Sequence, residues 1–583
     1  MKRLRLAVIT GSLLLLVLFL FTGFQALRAK SALVDVSNGL DGMAQSLRRG
    51  DLTAAHAELD TARKAATSAH HNTSGPLWWL ASKAPGIGDD VTAVRIISEV
   101  SDDLSNKVIP KMLDAAEPML PATLRPKGGR VPMAGIKKVA PAFISADKDF
   151  QANVKRVLDI RTAHLSPALA GPITNLKTTL GRASNISQAA TAAAQLLPPM
   201  MADGTKRKYL LMFQNNAEAR ATGGIGGSFA EVNVKNGKAK MGAQGSAPVL
   251  IGIANKPVLP LTADEKSLFQ PEMATYPQDV NFTPDFPRTG QLLAAMWRER
   301  HPQPVDGVIS ADPVALSYLL TGTGPVKMPR GVVLTAANVV PALLNGIYLH
   351  YPDDQAAQDS FFQEAAKAVF DAVAAGKGDP GVVLDGLVRS VLEHRLLLWS
   401  SHPNEEKLLA DSEITGALQT HRTSTPDVGV YLNDGTGAKM DYYLDASTSL
   451  QAVSCDNGQQ NLKATVTMRS LAPNNAAKLP LSIIGLGTQI PNGVIRTTVL
   501  VYAPVGGTFQ GLKLDSATAP FGDHTDHGRE VAAISLDLAP GQEKTITATI
   551  LGAPDQSGDP QLRTTPGVRL TGVGSVEPTK CGS

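Results

Sequence analysis

Cysteine is nearly absent from this chain: Cys455 and Cys581 are the two in 583 residues. That excludes the repeated Cys spacings of structural zinc modules. An isolated pair fits a disulfide formed in an oxidising compartment, with two unpaired thiols as the alternative. A charge imbalance is also missing. The net charge of +3 leaves no electrostatic footprint for nucleic acid or an acidic ligand. Catalytic signatures are lacking too: there is no Gly-x-Ser-x-Gly, no Cys–His pair and no His-Glu-x-x-His. No complete motif marks an enzyme and no cofactor is implied. Long apolar runs are missing after residue 24, so at most one transmembrane helix is encoded.

What is present begins with Lys2, Arg3 and Arg5, followed by an uncharged, mostly apolar run from Leu6 to Phe24. Nineteen residues reach about 28 Å as a helix, close to the roughly 30 Å of bilayer hydrocarbon. Ala29-Lys30-Ser31 also resembles a signal-peptide cleavage site, but the run exceeds the usual 7–15-residue apolar segment. The expectation is a single-pass anchor at 6–24 in the cell membrane. Residues 1–5 are then a cytoplasmic tail and the bulk is extracytoplasmic.

At 43% hydrophobic and 18% charged, the remaining chain is globular and long enough for several domains. Residues 31–200 carry helical spacing, as in Leu40, Met43, Ala44 and Leu47, with breaks at Gly50 and Gly75-Pro76. A loop is expected around Pro121–Pro132. Trp78 and Trp79 fit either the lipid interface or a protein core. Residues 205–424 alternate strands and helices, an α/β pattern. Tyr209–Phe213 reads as a buried strand, and Asn236-Gly237 signals a hairpin. Asp312 and Pro313 fit the N-cap and first position of a helix, and Thr335 fits the cap of another. Beyond 425, alternations such as Leu462, Ala464, Val466 and Met468 predict a β-sandwich to residue 583. The fold class expected is multidomain: single transmembrane helix, α-helical stalk, central α/β domain and C-terminal β-sandwich.

The segment QNNAEARATGGIGGSF (Gln214–Phe229) resembles a bacterial family called "domain of unknown function 4012". So do VDGVISADPVALSYLLTGTGPV (Val305–Val326), RLLLWSSHPNEEKLL (Arg395–Leu409) and LNDGTGAKMDYYL (Leu432–Leu444). The resemblance implies a membrane-anchored extracytoplasmic protein, common in actinobacteria and near envelope-polysaccharide genes, with no activity attached. A weaker, distant similarity is to LytR–CpsA–Psr-type cell-wall phosphotransferases. There Arg220 would stand near their first arginine-acidic motif, but glycines follow where the aspartate belongs, and Asp353, Asp354 and Gln363 lack accompanying arginines.

Two readings of the Gly-rich segment stand side by side. Glycine N–H groups can form an anion nest, with Arg220 as a bidentate phosphate contact. Asn215, Asn216, Glu218, Arg220, Gly223 and Gly224 are then ligand-binding candidates. Alternatively the glycines permit tight packing in an irregular link between two strands, pinned by Asn215 and a Glu218–Arg220 ion pair. Asp523-His524-Thr525-Asp526-His527 has metal-binding residue types but reads as a polar turn, and Asp353-Asp354 reads as helix capping. The functional expectation is binding or scaffolding of envelope glycan or lipid-linked polymer, with no nucleic acid. The alternative is a divergent phosphotransferase acting on polyprenyl-pyrophosphate-linked glycans.

Overall fold

A computed structural model describes residues 28 and 31–581, apart from 44, 47–49, 116, 353, 411, 488–489 and 570–572. The Leu6–Phe24 run, the 1–5 tail and Asp353 lie outside the described residues. Among the described residues no helix is long and apolar enough to cross a membrane. The protein is multidomain, with helices at the N-terminal side and several sheets towards the C-terminus. It divides into two compact units: a helical one ending at Pro199, and one of residues Met200–Ser583 joined by Pro126–Val131.

In the helical unit, residues 31–43 form α1. The following helices are α2 (Leu52–Thr73), α3 (Pro76–Ala81), α4 (Gly88–Asp103), α5 (Met133–Leu158) and α6 (Pro167–Met200). Ala55, Leu59, Ala62, Ala66 and Ala69 recur at three- and four-residue spacing on α2 and are all buried, so the alanine-rich text encodes close helix packing. Asp51 caps α2 by accepting from the Ala54 N–H. The expected loop near Pro121–Pro132 holds a short helix, Pro121–Leu124, and a turn that leaves the helical unit. There the Val131 N–H donates to the Gly237 carbonyl.

The second unit begins with a mixed five-stranded sheet. Its strands are β1 (Arg207–Arg220), β2 (Gly223–Lys235), β3 (Lys238–Ser246), β4 (Gly307–Ala311) and β5 (Leu396–Ser400), in the order β3-β2-β1-β4-β5. The Tyr209–Phe213 stretch is central, antiparallel to β2 and parallel to β4, which explains its unbroken apolar run. Asn236 and Gly237, both with positive φ, form the expected β2–β3 turn. The flanking helices include α7 (Phe286–Arg300), α8 (Pro313–Thr323), α9 (Gln355–Ala374) and α10 (Pro380–Leu392). Asp312 caps α8 through the Ala315 N–H, and Asp354 caps α9 through the Ala357 N–H. Thr335 exchanges hydrogen bonds with Asn338, and the next helix starts after Asn338.

Two further sheets follow. The strands in chain order are β6 (Asp427–Asp434), β7 (Leu444–Asp456), β8 (Gln459–Ser470), β9 (Ile495–Tyr502) and β10 (Thr508–Leu514). Then come β11 (Ala517–Thr518), β12 (Gly522–Asp526), β13 (Arg529–Leu538), β14 (Glu543–Leu551), β15 (Gln561–Thr564) and β16 (Val573–Val576). The sheet orders are β11-β10-β14-β8-β7-β16 and β12-β13-β9-β6-β15. Val466 and Met468 of one sheet and Val428 and Val499 of the other share one core, which also takes Ala219 and Tyr348. A second core joins Leu210 and Met212 of β1 to Tyr431 and Tyr502. Apolar cores are therefore continuous across the expected boundary at residue 425. Cys455 and Cys581 form a disulfide, Cα–Cα 5.1 Å.

Candidate functional site

The Gly-rich segment is a hairpin rather than an irregular link, and its polar residues come from a bulge. Asn215 faces Ile225 and Ala219 faces the adjacent Gly224, so β1 spends four residues where β2 spends one. Asn216, Ala217 and Glu218 leave the ladder. The glycines make this possible. A Cβ on Gly224 would lie 2.3 Å from the Asn215 carbonyl, and Gly223 takes φ +139°. Gly227, by contrast, faces open space and is skipped in the pairing with β1.

The polar residues of the bulge and the backbone just beyond it are bonded to distant parts of the chain, while the Ala217 N–H donates locally to Asn215. Asn215 Nδ2 donates to the Tyr348 hydroxyl at 2.8 Å. Asn216 Nδ2 donates to Asp312 and to the Pro566 carbonyl. The Ala219 N–H donates to Asp441 at 2.8 Å, and the Ala221 N–H to Asn433. The anticipated Glu218–Arg220 pair does not form. Glu218 instead accepts from Lys439 at 2.6 Å. Arg220 pairs with Asp279 at 3.1 Å and lies over the Phe282 ring. Two residues apart on β1, Glu218 and Arg220 would share a face of a regular strand. The bulge takes Glu218 out of the ladder while Arg220 stays paired with Gly223, and that separates the two charges.

Asp279, Asp434, Asp441 and Glu218 outnumber Arg220 and Lys439 in this buried cluster. Burial, reinforced by Glu218 and opposed by Arg220, pushes the Asp434 carboxyl up to about 6. Burial and the adjacent Asp434 raise Asp441 well above the usual carboxylate range. Burial also raises Asp279, outweighing its Arg220 partner. Burial works against the Lys439 ammonium, but Glu218 and Tyr348 more than offset it and its pKa rises. Lys439 stays charged and Tyr348, raised by burial, stays a neutral phenol.

A cleft of about 280 Å³ opens beside the bulge. Asn215, Glu218, Gln278, Gln355, Asp359 and Lys439 supply its polar lining, and Phe213, Tyr348 and Phe362 its apolar faces. Gln278 carries a buried side-chain carbonyl that has no hydrogen-bond partner among the described residues. Of the six sequence candidates, Asn215 and Glu218 line this cleft. Asn216 and Arg220 are buried in structural contacts, while Gly223 and Gly224 shape the hairpin. Sequence reasoning missed Lys439, Tyr348, Gln278 and Asp279. The signal for Lys439 was present in the Leu432–Leu444 block, which supplies Asn433, Asp434, Lys439 and Asp441 to the bulge. Likewise the Val305–Val326 block supplies Asp312, and the Arg395–Leu409 block supplies Arg395, paired with Asp312 at 2.8 Å.

The Asp523–His527 stretch is mostly strand, not turn. His524 contacts Ser267, Asp526 accepts from Tyr502, and only His527 with Gly528 turns. Alternation along the strand turns His524 and Asp526 inward, each to its own partner, and leaves Asp523 and Thr525 on the exposed face. Among the described residues no three His, Cys, Asp or Glu side chains converge in a way that could hold a metal ion.

Fold and site together define a class: a multidomain protein whose polar signature hairpin locks a mixed sheet to a two-sheet region beside a shallow polar cleft. Residues 204–348 match the family model described as "Protein of unknown function (DUF4012)", so the family resemblance holds over that span. No curated protein and no solved structure matches the chain. The weaker likeness to LytR–CpsA–Psr-type phosphotransferases is not borne out, and Arg220, on which it leaned, is committed to Asp279.

Proposed function

We propose that this is a membrane-anchored, extracytoplasmic protein of the cell envelope that binds a glycan, free or lipid-linked, in the cleft beside the signature bulge. The observation that carries the reading is the lining of the cleft. Carboxamides and carboxylates offer paired donors and acceptors for hydroxyl groups, while Tyr348 and Phe362 offer apolar faces. At about 280 Å³ the cleft falls just below the usual range of small-molecule sites, roughly 300–1,000 Å³, which suits a sugar unit rather than a long chain segment. The basic residues before Leu6 and the Cys455–Cys581 disulfide support an anchor with the bulk outside the cytoplasm.

The test is titration calorimetry of the detergent-solubilised full chain against a panel of neutral and anionic envelope oligosaccharides. Gln355 and Asp359, hydrogen-bonded to each other at 2.8 Å on the cleft wall, are the residues to vary. Gln355→Ala and Asp359→Ala should weaken binding about tenfold, the loss of roughly 1.4 kcal/mol, without moving the melting temperature. Absence of saturable binding across the panel would overturn the reading. So would magnesium-dependent turnover of a polyprenyl-pyrophosphate glycan, which would make the cleft catalytic.

A further inference from the structure

The helical unit brings three connections to one of its ends. α1 runs antiparallel to α2, with Gly39 against Ala62 and Gly42 against Glu58. Arg28 and Ser31 share a groove with Ser68, so the chain enters the unit where α2 is about to finish. α4 is antiparallel to α2 in turn, since Thr67 bonds Asp102 and Arg63 reaches the Ser105 carbonyl. Its first residue, Gly88, therefore lies at the same end. The Ser166 N–H donates to Asp90, which brings the α5–α6 connection there as well.

The segment between α2 and α4 has an unusual surface. Trp78 turns inward and is 6% exposed, whereas Trp79, Leu80 and Ile87 are 56%, 62% and 52% exposed. Three large apolar side chains on one short connection are hard to reconcile with water alone. What faces them follows from the sequence before Arg28. The apolar run ends at Phe24, and four extended Cα–Cα steps span at most about 14 Å. The end of the unit that carries Trp79 is thus tethered within that distance of the last residue of the run. A tryptophan with flanking aliphatics suits the headgroup–acyl boundary, where the ring is part apolar and part wet. The charges nearby are mixed. Lys83 is exposed, Asp89 is exposed with His164 3.9 Å away, and Asp90 is engaged by Ser166. The contact is therefore apolar in character and does not depend on anionic lipid.

We propose that Trp79, Leu80 and Ile87 form an interfacial tip that seats in the bilayer surface beside the Leu6–Phe24 anchor, giving the helical unit a second membrane contact. The proposal rests on the anchor reading above and adds to it a fixed face of the helical unit against the lipid.

The experiment uses the full chain reconstituted into phosphatidylcholine vesicles, with and without bromine on the acyl chains. The four tryptophans are Trp78, Trp79, Trp297 and Trp399, so none comes from the anchor itself. Brominated lipid should quench a component of the emission that Trp79→Phe removes. The Leu80→Asp, Ile87→Asp double variant should reduce that quenching while circular dichroism stays unchanged. Equal quenching of wild type and Trp79→Phe, in protein that stays with the vesicles through alkaline carbonate, would overturn the tip and leave the anchor standing. Release of the protein by carbonate would overturn the anchor and the tip with it.

Discussion

Arg220 illustrates how a side chain with the chemistry of a ligand contact becomes part of the frame. It is 4% exposed, pairs with Asp279 and covers Phe282. Removing one partner of a buried pair leaves the other charge uncompensated, at a cost of about 3–5 kcal/mol. The raised pKa of Asp279 lets that carboxyl take up a proton and soften the loss. Arg220→Ala is therefore expected to lower the melting temperature of the second unit by several degrees, and an unchanged value by calorimetry would return Arg220 to the ligand candidates. The glycines split in the same manner. Gly224→Ala forces a Cβ to within 2.3 Å of backbone, whereas Gly227→Ala meets nothing within 4 Å. Denaturant titration should show Gly224→Ala destabilised by about 2 kcal/mol or more and Gly227→Ala within about 0.5 kcal/mol of wild type. Comparable losses at both would refute the assigned bulge.

At the scale of the element, the bulge in β1 concentrates buried acids where the hairpin meets the Leu432–Leu444 segment, and this gives the protein a pH signature. Asp434, raised to about 6, binds its proton more tightly folded than unfolded, where a value near 4 applies. The folded state then holds the extra proton between roughly pH 4 and 6. The stability it contributes is full below about pH 4 and lost as the pH rises through about 6. Asp441, raised further, extends the loss upward. The melting temperature of the second unit should fall between pH 5 and pH 8, and Asp441→Asn should flatten that fall; an identical slope in the variant would rule out the pair as its source. Most elements behind this cluster were legible in the sequence because their signals are local. Alternation gave Leu462–Met468, Asn236-Gly237 gave a turn, and Asp312-Pro313 gave a helix start. The bulge was not legible, because four residues opposing one is a matter of register between strands and leaves no periodic trace. For the same reason the Glu218–Arg220 pair, two residues apart in sequence, is the one the sequence suggests, and the Glu218–Lys439 contact across 221 residues is not.

For the whole molecule, the consequence is that the first sheet and the two-sheet region melt together. Their cores are continuous through Tyr431, Tyr502 and Leu210, and the signature hairpin is bonded to Asn433, Asp441 and the Pro566 carbonyl. The chain end is held to this body by β16, paired in parallel to β7, and by the Cys455–Cys581 bond just beyond it. That bond closes a separation of 126 residues, which in the chain-entropy model removes about 4–5 kcal/mol of freedom from the unfolded chain. Because the closed loop contains the strands from β8 to β16, the benefit is spread over the unit rather than confined to its tail. The Cys455→Ser, Cys581→Ser double variant is therefore expected to lower the single cooperative transition of the second unit by several degrees while the helical unit melts where it did. Were the disulfide only a clasp on the last strand, the double variant would instead show a separate early loss of β16 with the main transition unmoved. Hydrogen exchange at Leu450 and Ala452 of β7 distinguishes the two, since a clasp alone predicts faster exchange confined to the strand that β16 covers.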